Sequence, residues 1–348
     1  RVRSSGRVWK LERVLMATAL VTGISGFVGS HLAEYLIDNT DWDIVGMMRW
    51  RSPLDNLERL VPLANEGKRL RFVYADLRDS IAIQRAVMEA RPDYVFHLAA
   101  QSYPQTSFTS PIDTLDTNVQ GTVRLLEAIK NHARQAWIHV CSSSEVYGRV
   151  PADKLPIRED CAFHPASPYA VSKVGTDLMA RHYAEAYGMR IQVTRMGTHT
   201  GPRRGDVFME STFAKQIALA EAGKIAPIIK HGNLDSLRTI ADVRDAVRAY
   251  YMLLTMNPIP GEVYNIAGDY VCTVGDVLDY LISLSRVTLV KELDQDRLRP
   301  IDADNQVFDT NKFRSHTGWH PEISYEQTLF DLLEYWRGRV EMATFLAR

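Results

Sequence analysis

Cysteine is scarce in this chain: Cys141, Cys161 and Cys272 are the three present, an odd number with no metal-ligand spacing. A disulfide framework and a cysteine-based metal centre are thereby excluded, and buried thiols in a reducing cytoplasm are expected, with no metal. Excess charge of one sign is also missing. Lys and Arg number 41 against 42 Asp and Glu, for a net charge of −1. No broad field exists to gather nucleic acid or an anionic membrane, so any phosphate must be held by local features. No apolar run approaches the roughly 20 residues that span a bilayer, and neither a nucleic-acid nor a membrane partner is expected. Internal repeats and low-complexity tracts are absent too. Residues 1–15 carry five basic residues and one acidic. They lack the apolar stretch and cleavage site of a signal peptide, and are expected to be a disordered leader.

What the chain does have is alternation. Short runs rich in Val, Ile and aromatics occur at Ala17–Thr22, Asp43–Met48, Arg71–Ala75, Tyr94–Ala99, Trp137–Ser142 and Arg190–Thr194. Each is too short for a helix and predicts a strand. Helical patterns lie between them at Ser30–Asp38, Ser80–Ala90, Pro111–Asn131 and Pro168–Tyr187. Such alternation predicts an α/β protein with a doubly wound, Rossmann-type parallel sheet over 16–200. After Gly201-Pro202 the alternation loosens. Helices are expected at 208–222, 241–255 and 273–285, and short strands near 226–230 and 262–266. These predict a smaller C-terminal α/β substrate-binding lobe over 201–340, with the chain crossing between lobes.

The first strand runs into Gly23-Ile24-Ser25-Gly26-Phe27-Val28-Gly29 and then a helix. Glycines in that context let backbone approach a pyrophosphate at a helix N-terminus, which marks Gly23, Ser25, Gly26, Phe27, Val28 and Gly29 as cofactor-binding. An acidic residue ending the second strand would select NAD. This chain has Arg49-Trp50-Arg51-Ser52 instead. Arg49, Arg51 and Ser52 suit the 2′-phosphate of NADP, although NAD is not excluded. Asp76-Leu77, after the third strand, is placed for the adenine; Asp76 could equally cap the next helix.

Tyr169 and Lys173 lie four residues apart on a predicted helix and so share a face. A neighbouring ammonium and an oxidised nicotinamide would favour the phenolate of Tyr169, making it a base toward a sugar hydroxyl. The strand end Cys141-Ser142-Ser143-Ser144-Glu145 offers Ser143 as a hydrogen-bond donor to the reacting oxygen. Glu145 is a carboxylate that could remove a proton alpha to a new ketone, or a salt-bridged loop residue.

On GISGFVG at 23–29, Asp76-Leu77, HLAAQS at 97–102, SSSEVYG at 142–148 and YAVSK at 169–173, the chain resembles the extended short-chain dehydrogenase/reductase family over roughly 16–337. RWRS at 49–52, HTGPRRG at 199–205 and GNLDSLR at 232–238 bring it nearest to the GDP-mannose 4,6-dehydratases and the GDP-4-keto-6-deoxymannose reductases. That resemblance implies catalytic roles for Ser143, Glu145, Tyr169 and Lys173. It implies cofactor contacts from Leu98, Ala99, Ala100, Ser102, His199 and Arg204, as well as from the catalytic Tyr169 and Lys173. It implies substrate contacts from Ser102, Ser143, Ser144, Thr198 and Asn233, with Arg238 and Arg299 clamping the diphosphate. A homodimer or homotetramer is the assembly it implies.

Several positions depart from the dehydratase pattern. Ser143 replaces threonine, Thr198 replaces asparagine, Asp113 replaces tyrosine, and Thr239-Ile240 replace an aromatic–acidic pair. Segments 261–268 and 298–319 lean toward the reductase. Two activities therefore stand: dehydration of GDP-mannose through internally recycled NADP, and NADPH-dependent reduction of a 4-keto sugar. A nucleotide-sugar epimerase is a third. A non-catalytic dinucleotide sensor would be expected to have lost Tyr169 or Lys173, and this chain keeps both.

Overall fold

The computed structural model describes residues 16–298 and 305–343, so the basic leader and Arg299 lie outside the described residues. The strands are β1 (Thr18–Thr22), β2 (Asp43–Met48), β3 (Leu70–Tyr74), β4 (Tyr94–His97), β5 (Trp137–Cys141), β6 (Arg190–Met196), β7 (Thr198–Thr200), β8 (Ile228–His231), β9 (Leu237–Asp242), β10 (Val263–Ile266), β11 (Tyr270–Thr273), β12 (Val290–Leu293) and β13 (Asn305–Gln306). Seven of them form one sheet in the order β10-β6-β5-β4-β1-β2-β3, with every pairing parallel. The order reverses between β1 and β4, and a crevice opens at the carboxyl ends of strands at such a point.

Both faces of the sheet are covered, as the alternating strands and helices require. The helices are α1 (Phe27–Asn39), α2 (Val61–Asn65), α3 (Ser80–Ala90), α4 (Pro104–Thr109), α5 (Pro111–Leu115), α6 (Gly121–His132), α7 (Pro168–Tyr187), α8 (Met209–Glu221), α9 (Val243–Thr255), α10 (Val274–Ser283), α11 (Asn311–Thr317) and α12 (Tyr325–Glu341). Along β1, Ala19 and Val21 join the core beneath α1 and α9, while Leu20 joins the core beneath α3 and α6, the period of two expected of a strand buried on both sides. A third core, built from Phe213, Ile217, Leu278 and Leu329, sits between α8, α10 and α12. Around it β7, β9, β11 and β13 make a small sheet, and β8 pairs with β12. β10, which follows β7, α8, β8 and β9 in the chain and precedes the rest of that lobe, returns to the edge of the large sheet beside β6.

Local chemistry sets the ends of the elements. Ser167 caps α7 by accepting from the Ala170 amide, Pro168 opens it, and Gly188 ends it at φ 62°. Thr273 and Asp276 form a reciprocal capping box on α10. Asp79, not Asp76, caps α3, accepting from the Ile81 and Ala82 amides. The Asp76 side chain accepts instead from its neighbour Arg78, at 2.9 Å from the amide.

The single helix expected over Pro111–Asn131 is not what forms. α5 and α6 are separated by one π-helical turn at Asp116–Gln120. The buried Asn118 explains the wide turn. Its side chain accepts from the Gln101 amide at 2.8 Å and donates to the Gln101 carbonyl and to Ser172 on α7, both at 2.9 Å. β4 also stops at His97 instead of reaching Ala99, because the Leu98 and Ala99 amides leave the ladder to donate to Thr22 Oγ1.

Candidate active site

A cavity of about 720 Å³ opens where β1, β4 and β5 end, and the smaller lobe forms its far wall. One rim is the glycine turn after β1. Gly23 has φ +73°, and a Cβ there would come within 2.9 Å of Ala99 Cα. A Cβ on Gly29 would stand 2.2 Å from the Gly23 carbonyl oxygen. Only glycines let this turn close on itself, which leaves the N-terminus of α1 facing the cavity without a side-chain cap. Beneath the turn, the Thr122 hydroxyl donates to the Asn118 carbonyl at 2.6 Å, so its oxygen must accept from His97 Nε2. His97 Nδ1 is then bare and accepts from the Thr22 hydroxyl, at 2.9 Å. That fixes a neutral tautomer, and burial lowers the imidazole pKa to about 3. The residues present fit a dinucleotide: a glycine cradle, an open helix N-terminus, and Arg49 and Ser52 at the end of β2 all line one wall.

The far end of the cavity lies where α7 crosses the end of β5. Tyr169 and Lys173 are buried on the α7 face turned to the cavity, and Ser143 lines the cavity with them. Glu145 sits in the tight turn after Ser143, its amide donating to Ser143 Oγ at 3.2 Å. Gly148 closes that turn at φ +54°, where a Cβ would stand 1.6 Å from the His164 carbonyl oxygen. Lys173 Nζ donates to the Cys141 carbonyl at 2.8 Å, and the protein by itself does not make Tyr169 acidic. Burial pushes the phenol well above its ordinary value, with Cys141 adding to the rise, and Ser143 and Arg204 only partly offset it. Burial likewise pushes the Lys173 ammonium down.

The smaller lobe completes the wall with Thr198, Asn233 and Arg238. His199 stacks on Phe27 at 5.9 Å and 12°, and its pKa falls to about 4, mainly through burial. The Arg204 guanidinium lies 3.6 Å from the Phe208 ring centroid and 5.2 Å from that of Phe27. This arrangement joins the glycine rim to the second lobe.

Nearly all the residues singled out in the sequence meet here. Gly23, Ser25, Gly26, Phe27, Val28 and Gly29, with Arg49, Ser52, Asp76 and Leu77, line one side of the cavity. Leu98, Ala99, Ala100 and Ser102 line its middle, and Ser143, Ser144, Glu145, Tyr169 and Lys173 its far end. Arg51 does not line the cavity: the chain turns there at φ 65° and the side chain is exposed. Sequence reasoning missed Gln306, whose Nε2 donates to Glu145 Oε1 at 2.9 Å across 161 positions. It also missed Arg78, which bridges Asp76 at 3.0 Å and Asp113 at 2.8 Å, and the cavity-lining Phe208 and Glu210. No local pattern marks Gln306. The acidic replacement at Asp113 was the signal for Arg78.

The family model described as GDP-mannose 4,6 dehydratase matches residues 20–332. The chain belongs to this family. Among the family's curated proteins, GDP-6-deoxy-D-mannose reductase of Pseudomonas aeruginosa is 33% identical over 92% of this chain and 97% of its own length. GDP-mannose 4,6-dehydratase of Yersinia enterocolitica is 30% identical over 91% of this chain and 93% of its own length. Among solved structures, that of RMD from Pseudomonas aeruginosa complexed with NADPH superposes with a TM-score of 0.79 at 30% identity, covering 93% of this chain and 100% of that one. The relatives thus include both a dehydratase and a reductase.

Proposed function

We propose that this protein is a nucleotide-sugar 4,6-dehydratase that removes water from GDP-mannose with a retained NADP. The observation that carries the reading is a carboxylate beside the Tyr169–Lys173 pair: Glu145 lines the same cavity as Ser143, Tyr169 and Lys173. A bound oxidised nicotinamide dinucleotide supplies a hydride acceptor, later the donor, and a positive charge that favours the Tyr169 phenolate.

Tyr169 takes the proton of the C4 hydroxyl as hydride leaves C4, with Ser143 donating to the same oxygen. The 4-ketone acidifies the C5 proton, which Glu145 removes. Glu145 then returns that proton to the C6 hydroxyl, which leaves as water. Return of the hydride to C6, with the proton held by Tyr169 passing to C5, would complete the reaction, so the balance is the loss of one water. Arg238 and Arg299 hold the diphosphate, while Arg49 and Ser52 hold the 2′-phosphate. On this reading residues 16–200 chiefly bind the cofactor and 201–340 the nucleotide-sugar.

Similarity to the reductase favours a second reading, reduction of a 4-keto sugar by consumable NADPH. It would use Ser143, Tyr169 and Lys173 and leave Glu145 idle. The two separate when purified protein is incubated with GDP-mannose and no added reductant and the product is weighed by mass spectrometry. The expected result is a product lighter by one water, lost in Glu145→Gln by a factor on the order of 10²–10⁴. Untouched GDP-mannose, together with oxidation of NADPH by a 4-keto-6-deoxy sugar, would establish the reductase instead.

A further inference from the structure

We infer that Gln306 is a positioning residue for the proposed elimination, fixing Glu145 so that one carboxylate oxygen is held and the other is presented to the sugar. The inference rests on the dehydratase reading. Gln306 is 3% exposed, lines the cavity, and donates from Nε2 to Glu145 Oε1 at 2.9 Å. The amide orientation follows from the chemistry, because its oxygen turned toward a carboxylate would be repelled.

Both partners have fixed origins. Gln306 lies on the two-residue strand β13, paired in parallel with β9 opposite Arg238. Its carbonyl accepts from Thr239 Oγ1 at 2.8 Å. The next residues are laced to Ile157, whose amide donates to the Val307 carbonyl at 2.8 Å and whose carbonyl accepts from Asp309 at 2.9 Å. Glu145 is held by the turn that Ser143 and Gly148 define. A carboxylate has two oxygens, and hydrogen-bonding one to a buried amide removes a rotational freedom that a base on a free side chain would keep. The same register places the amide beside the strand of Arg238, so the base is set from the substrate lobe and not only from its own turn.

The test compares wild type with Gln306→Leu and Gln306→Glu, each loaded with NADP and given GDP-mannose in D2O. Melting temperature, kcat, KM, absorbance of the reduced cofactor during turnover, and deuterium at C5 are measured. For Gln306→Leu, kcat and C5 deuteration fall on the order of 10- to 100-fold, as expected for loss of a hydrogen bond to a charged group, while KM stays within about twofold. Reduced cofactor accumulates during turnover, because the step that uses Tyr169 is untouched and the one that uses Glu145 is slowed. Gln306→Glu, nearly the same shape, is inactive at neutral pH and recovers as pH falls, when a proton shared by the two carboxyl groups restores the donor.

The inference is overturned if Gln306→Leu turns over like wild type, or if KM rises and no reduced cofactor accumulates. Should Gln306→Leu fail to fold, the pH profile of Gln306→Glu decides alone, and a profile parallel to wild type overturns it. Wild type that places no deuterium at C5 removes the dehydratase reading and this inference together. Normal C5 deuteration in both wild type and Gln306→Leu removes only this one.

Discussion

Arg49 and Arg51 stand two positions apart after β2, yet only Arg49 lines the cavity. If Arg49 binds the 2′-phosphate, Arg49→Ala should weaken NADP binding on the order of 10- to 100-fold, the worth of a charge-assisted hydrogen bond, and leave NAD nearly unchanged. Arg51→Ala should change neither. Calorimetric titration of both cofactors against both variants checks this. Equal losses for NADP and NAD in Arg49→Ala would show that its role is not phosphate recognition. At this scale the sequence was informative wherever function follows spacing along one element: Tyr169 and Lys173 share a helix face because they are four apart. It was silent on Gln306, whose partner lies 161 positions away and whose placement depends on a two-residue strand. It was misleading at Arg51, because a local backbone turn decides which of the two arginines flanking Trp50 faces inward.

Among the elements, α7 carries Tyr169 and Lys173 and is anchored to β6 by a buried ion pair. Arg195 Nε and Nη2 donate to Asp177 at 2.8 and 3.1 Å, and Arg195 Nη1 donates to Tyr147 Oη and to the Glu159 carbonyl, both at 2.8 Å. Asp177 is 0% exposed and Arg195 2%, so Asp177→Asn leaves a guanidinium buried without its countercharge. A loss of about 3–5 kcal/mol is expected in denaturant unfolding. Asp38→Asn, which breaks the exposed pair with Arg59, should cost under about 1 kcal/mol. Comparable losses for the two would mean that burial does not set the strength of the α7 anchor. The ends of α7 could be read from Ser167, Pro168 and Gly188, since caps are local. The π-helical turn before α6 could not, because Asn118 adopts it to reach Gln101 and Ser172, partners that only the assembled fold brings near.

For the molecule as a whole, buried imidazoles set the acid limit. Burial lowers His97 and His139 to about 3 from an ordinary 6.5. Their folded pKa values lie below the unfolded ones, so as pH drops through 6.5 the unfolded chain takes up protons that the native state refuses. Stability is therefore full above about pH 6.5 and falls on acidification toward 3, by about 1.4 kcal/mol per pH unit for each histidine. His31, lowered to about 4 mainly by burial, adds to the loss over the upper part of that window. Melting temperature followed downward from pH 7.5 checks the slope, which His139→Gln should make shallower. A melting temperature flat to pH 4.5 would contradict it.

The alternation of strands and helices made the parallel sheet legible from the sequence, because every strand buried on both faces reads as an apolar run. The position of Val263–Ile266 was not legible, since four residues carry no signal for which sheet they join. Those four residues have a consequence for how the molecule can be divided. The last strand of the seven-stranded sheet is synthesised only after some sixty residues of the second lobe, from 201 onward. A fragment ending at 200 would leave the ladder of Arg190–Met196 open along its outer side, a template for sticking to other chains. Cutting the protein between its lobes therefore yields not two halves but one frayed edge and one orphaned strand.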